Sequence, residues 1–526
     1  MNGYSFIKLR GGNNMNLSDQ LSITTRKHPT KTAFVFQDKE TSYMELEGAV
    51  QKFASSLQQL GIKKGDHIAL VVGNSPYYVI GMYGALRLGA VVVPVNPLYT
   101  AQEMTYILKN GDVKGVITMD IFMEKFVAIA DQLPGVRHYI SCETGAAVEP
   151  GDYPSIITKM KSFTMMIQEG SAEFKMPRLV ETDLAIILYT SGTTGKPKGA
   201  MLSHQNLYSN AKDVADYLTI NGEDRVIAAL PMFHVFCLTV SLNAPLMNGG
   251  TILIMPKFSP QEVFRIAKDY QATVFAGVPT MYNYLLQSAQ EQEDRFAGIR
   301  MCISGGSSMP VALLKDFEKT FSVQISEGYG LSEASPVTCF NPLDKPRKPG
   351  SIGTNIVHVE NKVVNELGEE VGAGEVGELV VRGPNVMQGY YKMPEETAVA
   401  LKAGWLHTGD MARMDDEGYF YIVDRKKDMI LVGGYNVYPR EVEEVLYSHP
   451  NVSEVAVVGT PHPETGEAVI CFVVTNDTAI TTAHLMEYCK EHLAKYKIPV
   501  SITFLDELPK NTTGKILRKN LREQLV

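Results

Sequence analysis

The chain has 526 residues, 45% of them hydrophobic and 20% charged, a balance that belongs to a folded protein with sizeable cores. That length exceeds one ordinary core, so more than one domain is expected. A net charge of −9 argues against nucleic acid as a partner, and the longest apolar runs, at 68–72 and 90–94, are strand-sized and far short of a membrane span.

Residues 1–14 hold no uninterrupted apolar stretch, which speaks against a secretory signal, and are expected to form a poorly ordered extension ahead of Met15. From about residue 45 strand-like runs alternate with helical stretches: a strand at 67–72, a helix at 77–88 and a strand at 91–94. Further strands are predicted at 184–188, 226–230, 251–255, 273–276 and 301–304. Helices at 260–270 and 310–320 each open on a proline, which a first helical turn tolerates. Several of these strands are apolar throughout, which predicts parallel sheets covered by helices on both faces. Shorter, glycine-punctuated strands at 356–364 and 377–382 predict an antiparallel or barrel-like subdomain. A small α+β unit closes the chain, with a strand pair, a helix at 439–447, strands at 454–458 and 468–474, and a helix at 483–493. The expected fold is therefore α/β, with a large domain over 15–425 and a small mobile domain over 426–526. Six scattered cysteines, Cys142, Cys237, Cys302, Cys339, Cys471 and Cys489, form no Cys-x-x-Cys pair and read as free thiols of a reducing compartment.

The chemistry-bearing residues follow predicted strands. After the 184–188 run come Thr190, Ser191, Gly192, Thr193, Thr194, Gly195, Lys196 and Lys198, a loop of hydroxyls, glycines and cations suited to cradling a polyphosphate. It is not a Walker A loop: only two residues separate Gly192 from Gly195, and Pro197 stands where a helix would have to start. A small-residue turn at 304–308 contains Gly305 and Gly306. Residues 327–333 then combine Gly328, Tyr329 and Gly330 with Ser332 and Glu333. A carboxylate beside a triphosphate repels it unless a metal intervenes, so Glu333 is assigned to Mg2+. Asp410, after Gly409, suits two vicinal ribose hydroxyls, although a Thr-Gly-Asp by itself is ordinarily a turn. Lys515 lies in a basic tail that would ordinarily be a solvated charge run.

In this order and spacing the stretches resemble the adenylate-forming superfamily, which contains acyl-CoA synthetases, firefly-type luciferases and peptide-synthetase adenylation domains. The resemblance implies that the 190–198 loop holds phosphates, Tyr329 contacts adenine beside Gly330, Ser332 the α-phosphate, and Asp410 and Arg425 the ribose. It implies a hinge at Lys427, a thiol tunnel along Gly434, a bridging role for Lys515 between substrate carboxylate and α-phosphate, and an aromatic wall at His234. Catalysis would thus rest on Lys515, Glu333, Ser332 and His234. Gly305 would lie where nucleotide and acyl group meet, with Val235, Phe236, Gly306, Ala334 and Val337 as apolar walls. The 403–427 segment is similar to the fatty-acyl-CoA synthetase signature, with Ala403 and Ala412 departing from it. The implied reaction is ATP-dependent activation of a medium- or long-chain fatty acid, then transfer to coenzyme A. An aryl acid, or an acyl group loaded onto a carrier protein, are the alternatives. The implied partners are ATP, coenzyme A and a fatty acid. Location is expected to be cytoplasmic, with peripheral membrane contact and a homodimer left open.

Overall fold

A computed structural model describes residues 16–145, 156–190, 197–289, 293–477, 479–512 and 514–525. The expected N-terminal extension over 1–14 lies outside the described residues. Two large sheets carry the first four hundred residues. The eight-stranded sheet runs Gly389–Tyr390, Lys198–Ser203, Leu184–Thr190, Val91–Pro94, His67–Val71, Val113–Met119, His138–Cys142, Met160–Ser162. Its strands are parallel except at the Lys198–Ser203 and Gly389–Tyr390 edge. The nine-stranded sheet runs Thr354–Asn355, Val337–Phe340, Ile325–Gly330, Met301–Ser304, Val274–Gly277, Arg225–Ala228, Thr251–Ile254, Thr32–Phe36, Lys39–Ser42. It is parallel through its centre and antiparallel at both ends.

The helices lie between and outside these sheets because their apolar faces have nowhere else to go. Tyr78, Met82, Tyr83 and Leu86 of helix Pro76–Leu88 join Phe53 of helix Tyr43–Gln59 and Leu207 of helix His204–Tyr217 in one continuous core. Burying each such side chain contributes roughly 1.5–3 kcal/mol. One charge inside the core is fully paired: buried Arg87 bonds Glu47 through Nη1 at 2.7 Å and Nη2 at 2.9 Å, and also reaches Ser18 and Ser22.

The glycine-rich region beyond residue 345 forms a five-stranded antiparallel sheet of Glu360–Val364, Gly377–Arg382, Leu401–Lys402, Trp405–Met414 and Phe420–Arg425. Of the predicted strand at 356–364 only Glu360–Val364 forms, because the chain turns at His358, whose φ is +61°; a separate short strand, Thr354–Asn355, precedes the turn. Thr408, Gly409 and Asp410 are no turn either; they lie inside the ten-residue strand Trp405–Met414, where Gly409 at φ +73° distorts the ladder without ending it.

The small C-terminal domain has its own core of Val437, Val442, Leu446, Val455, Val457, Val469, Cys471 and Leu485. Its two predicted short strands are one long hairpin, Val452–His462 with Gly466–Thr475, and Ser501–Phe504 adds a parallel strand. All six cysteines are free and buried. Among the described residues no helix is long and apolar enough to cross a membrane.

Candidate active site

The site lies where strands of both large sheets end, as is general for open α/β sheets. Ala185, Ile186, Ile187 and Leu188 anchor strand Leu184–Thr190 in the core. The chain then returns as the antiparallel strand Lys198–Ser203, with Thr190 opposite Lys198 and the Thr190 hydroxyl donating to the Lys198 carbonyl at 3.4 Å. A strand rather than a helix thus follows the loop, as the proline predicted. Ser191, Gly192, Thr193, Thr194, Gly195 and Lys196 themselves lie outside the described residues.

Strand Ile325–Gly330 delivers the second group. Its glycines are steric necessities: a Cβ on Gly328 would sit 2.1 Å from the Phe340 ring, and one on Gly330 2.4 Å from the Pro336 carbonyl oxygen. The following short turn, Ser332–Ala334, presents Ser332 and Glu333. Glu333 is held from outside the motif. The Tyr390 hydroxyl donates to its Oε1 at 2.8 Å, and the Lys198 ammonium stands 5.2 Å from the Tyr390 ring centre, joining loop base to carboxylate. Burial pushes the Glu333 carboxyl above its usual range, and the Tyr390 bond pulls it partly back. Tyr390 is placed in turn by antiparallel pairing with Ala200 and by its backbone N–H, which donates to Thr397 Oγ1 at 2.8 Å.

Asp410 and Arg425 face each other across neighbouring strands, with Arg425 Nε 3.4 Å from Asp410 Oδ1. The Tyr329 hydroxyl donates to Asp410 Oδ2, tying the adenine candidate to the ribose candidate. Gly305 packs against Phe236: a Cβ there would be 3.3 Å from its ring. His234 accepts the Phe236 N–H at Nδ1, 3.3 Å, and burial followed by the charge of Lys515 lowers its pKa to about 4. A neutral ring at that position suits a wall better than a proton carrier. The residues after it, Cys237–Asn243, form a buried π-helix that no periodicity announced.

Lys515 arrives from the small domain. Its loop is closed by Asn511, whose backbone N–H donates to the Lys515 carbonyl and whose side-chain Oδ1 accepts the Lys515 N–H, both at 2.9 Å, and is pressed onto the large domain. Asn96 Nδ2 donates to Thr512 Oγ1 at 2.8 Å, and a Cβ on Gly514 would meet Thr280 Oγ1 at 2.7 Å. The half-buried ammonium lies among Arg425, Asp410, Arg518 and Lys427, and beside His234. Burial first, then the three surrounding cations against one carboxylate, lower its pKa to about 8. Lys427 follows strand Phe420–Arg425 on an exposed turn. Gly434 is not brought to the site: it sits at the exposed tip of hairpin Ile430–Val432 and Tyr435–Val437, at φ +85°, with nothing within 4 Å of a Cβ.

Residues 21–391 match the AMP-binding enzyme family, and residues 441–515 match the AMP-binding enzyme C-terminal domain. The chain belongs to the AMP-binding enzyme family. It is 39% identical to a long-chain-fatty-acid–CoA ligase of Bacillus subtilis over 97% of this chain and 95% of that protein. Among solved structures, this AMP-binding enzyme is similar to ATP-bound MatB from Rhodopseudomonas palustris, with TM-score 0.89 and 33% identity over 97% of this chain and 99% of that one. Against apo MatB, at the same identity and coverage, the TM-score is 0.80. In overall shape this member of the family is thus nearer the nucleotide-bound form. Tyr390, Asn96 and Thr280 are the site-supporting residues that sequence reasoning missed; each acts through a partner at least 57 residues away, which no local pattern displays.

Proposed function

We propose that this AMP-binding enzyme is an acid–thiol ligase that activates a medium- or long-chain fatty acid as acyl-AMP and transfers it to coenzyme A, releasing pyrophosphate and AMP. The observation that carries the reading is the placement of Lys515, from one domain, beside Asp410, Arg425 and His234 of the other. Two anions, a carboxylate and a triphosphate, must approach each other in the first step, and a half-buried cation between them offsets the repulsion. One carboxylate oxygen attacks the α-phosphorus and the pyrophosphate oxygen departs with its electron pair. Asp410 orients the ribose, Tyr329 the base, and Ser332 with the loop hydroxyls holds phosphate oxygens, so most of the gain is positioning. Glu333 fits a magnesium role: it is a single carboxylate steadied by Tyr390, and Mg2+ is commonly held by one or two carboxylates plus substrate phosphates. Bound there, the ion would neutralise charge on the triphosphate.

In the second step the small domain turns about Lys427, and the CoA sulfur attacks the acyl carbon. AMP leaves and the thiol proton passes to solvent. Gly434, side-chain-free and exposed, would then flank the pantetheine arm. Domain limits of 15–425 and 426–526 accompany this reading, and its free, buried cysteines suit the cytoplasm. The fatty-acid assignment rests on Val235, Phe236, Ala334 and Val337, all buried and apolar in one core cluster, with Phe236 against Gly305, together with near-full-length similarity to long-chain ligases. CoA-dependent AMP release measured across chain lengths tests it. Preference for medium or long chains is expected; clear preference for aryl acids would refute it.

A further inference from the structure

The first helix of the small domain, Pro439–Tyr447, meets the large domain through two residues one turn apart, Arg440 and Glu444. Arg440 Nη1 donates to the Ile422 carbonyl at 2.7 Å, Nη2 to the Gly350 carbonyl at 3.2 Å, and its backbone N–H to Asp424 Oδ2 at 3.1 Å. Glu444 lies 3.7 Å from Arg440 Nε and against the Val311 N–H, at the start of helix Val311–Phe321.

Beneath this pair is Glu327, 2% exposed, in the strand that carries Tyr329 two residues on. Its Oε1 accepts the Met309 N–H at 2.9 Å, fastening the end of the turn that contains Gly305; its Oε2 has no partner. The charges that face it are those of Arg440, which favours ionisation, and Glu444, which opposes it. Burial dominates and raises its pKa to about 7. A buried carboxylate with one unpartnered oxygen is costly, and the cation that relieves it stands on the other domain.

We propose that Glu327, Arg440 and Glu444 form an interdomain latch that holds the small domain in the pose placing Lys515 at the nucleotide site. Arg440 and Glu444 are positioning residues: they touch no reactant, but their contacts exist only while the domain is docked. The latch spans the Tyr329 strand and the Gly305 turn, so docking and ordering of the nucleotide site reinforce each other. Turning about Lys427 would break the Arg440 bonds to the Ile422 and Gly350 carbonyls and carry its charge away from Glu327, which favours protonation of that carboxylate in the second pose.

The inference rests on the two-step reading above, and the test separates the two. Adenylation is followed by fatty-acid-dependent exchange of labelled pyrophosphate into ATP, and thioester formation from purified acyl-AMP and CoA. In Arg440→Met, exchange is expected to fall about 10- to 100-fold, the worth of a charge-assisted contact, with thioester formation within about twofold of wild type. Glu327→Gln keeps the acceptor for Met309 but not the charge. It is expected to show the same one-sided loss, and to add little in the Arg440→Met background. Glu444→Gln is the second variant where Arg440→Met does not fold. Equal loss in both steps, no loss of exchange, or fully multiplicative losses in the double variant would overturn the latch. Absence of exchange in wild type would instead overturn the proposed function.

Discussion

Replacing Asp410 with asparagine probes the meeting point of ribose and lysine. One carboxylate oxygen accepts the Tyr329 hydroxyl and the other lies 3.4 Å from Arg425 Nε. Asparagine keeps one acceptor oxygen, so Tyr329 stays tethered, while the anionic acceptor for one ribose hydroxyl is lost. A hydrogen bond to a charged group contributes about 1.5–3 kcal/mol, so kcat/KM for ATP should drop about 10- to 100-fold. Asp410 is also the one carboxylate among the charges that set the Lys515 pKa, the others being Arg425, Arg518 and Lys427. Its neutralisation should therefore move the lysine's titration below about 8. Pyrophosphate exchange at varied ATP and pH measures both effects. An unchanged KM for ATP together with an unmoved alkaline limb would refute the reasoning.

In the wild-type enzyme Lys515 is useful only as the ammonium ion, so exchange kcat/KM should hold below and decline as pH rises through about 8. Thioester formation from acyl-AMP should show no such limb at that residue. Gly330→Ala should destabilise by about 1–3 kcal/mol in chemical denaturation, because its Cβ would stand 2.4 Å from the Pro336 oxygen. Gly48→Ala, in a helix with nothing within 4 Å, should be neutral or slightly stabilising. Gly305→Val should shift chain-length preference toward shorter acids, since its Cβ would already be 3.3 Å from the Phe236 ring; an unaltered profile would remove Gly305 from the acyl pocket.

Much of this was legible in the chain itself. Apolar runs such as 184–188 and 301–303 became strands because only burial satisfies three to five consecutive hydrophobic residues, and polar motifs then fall at their ends. Tyr329, Asp410, Arg425, His234 and Lys515, which the superfamily resemblance singles out, lie together in space. What stayed hidden depends on long-range partners. Tyr390 matters because its hydroxyl holds the partly buried Glu333, and nothing around Gly389 hints at that. Gly409 looked like a turn because its positive φ is what glycine signals locally, while the flanking pairings with Glu378 and Arg425 keep it in a strand. Buried Glu327 was passed over, since its cation sits on a different domain.

The most direct measurement compares Lys515→Ala with wild type in the two half-reactions. Loss of the Lys515 ammonium should reduce pyrophosphate exchange at least about 100-fold, as removal of a preorganised charge-stabilising group does. Thioester formation from supplied acyl-AMP should remain within a few-fold. Exchange at the wild-type rate, or equal loss in both steps, would contradict the claim that a lysine from the small domain brings the two anions together.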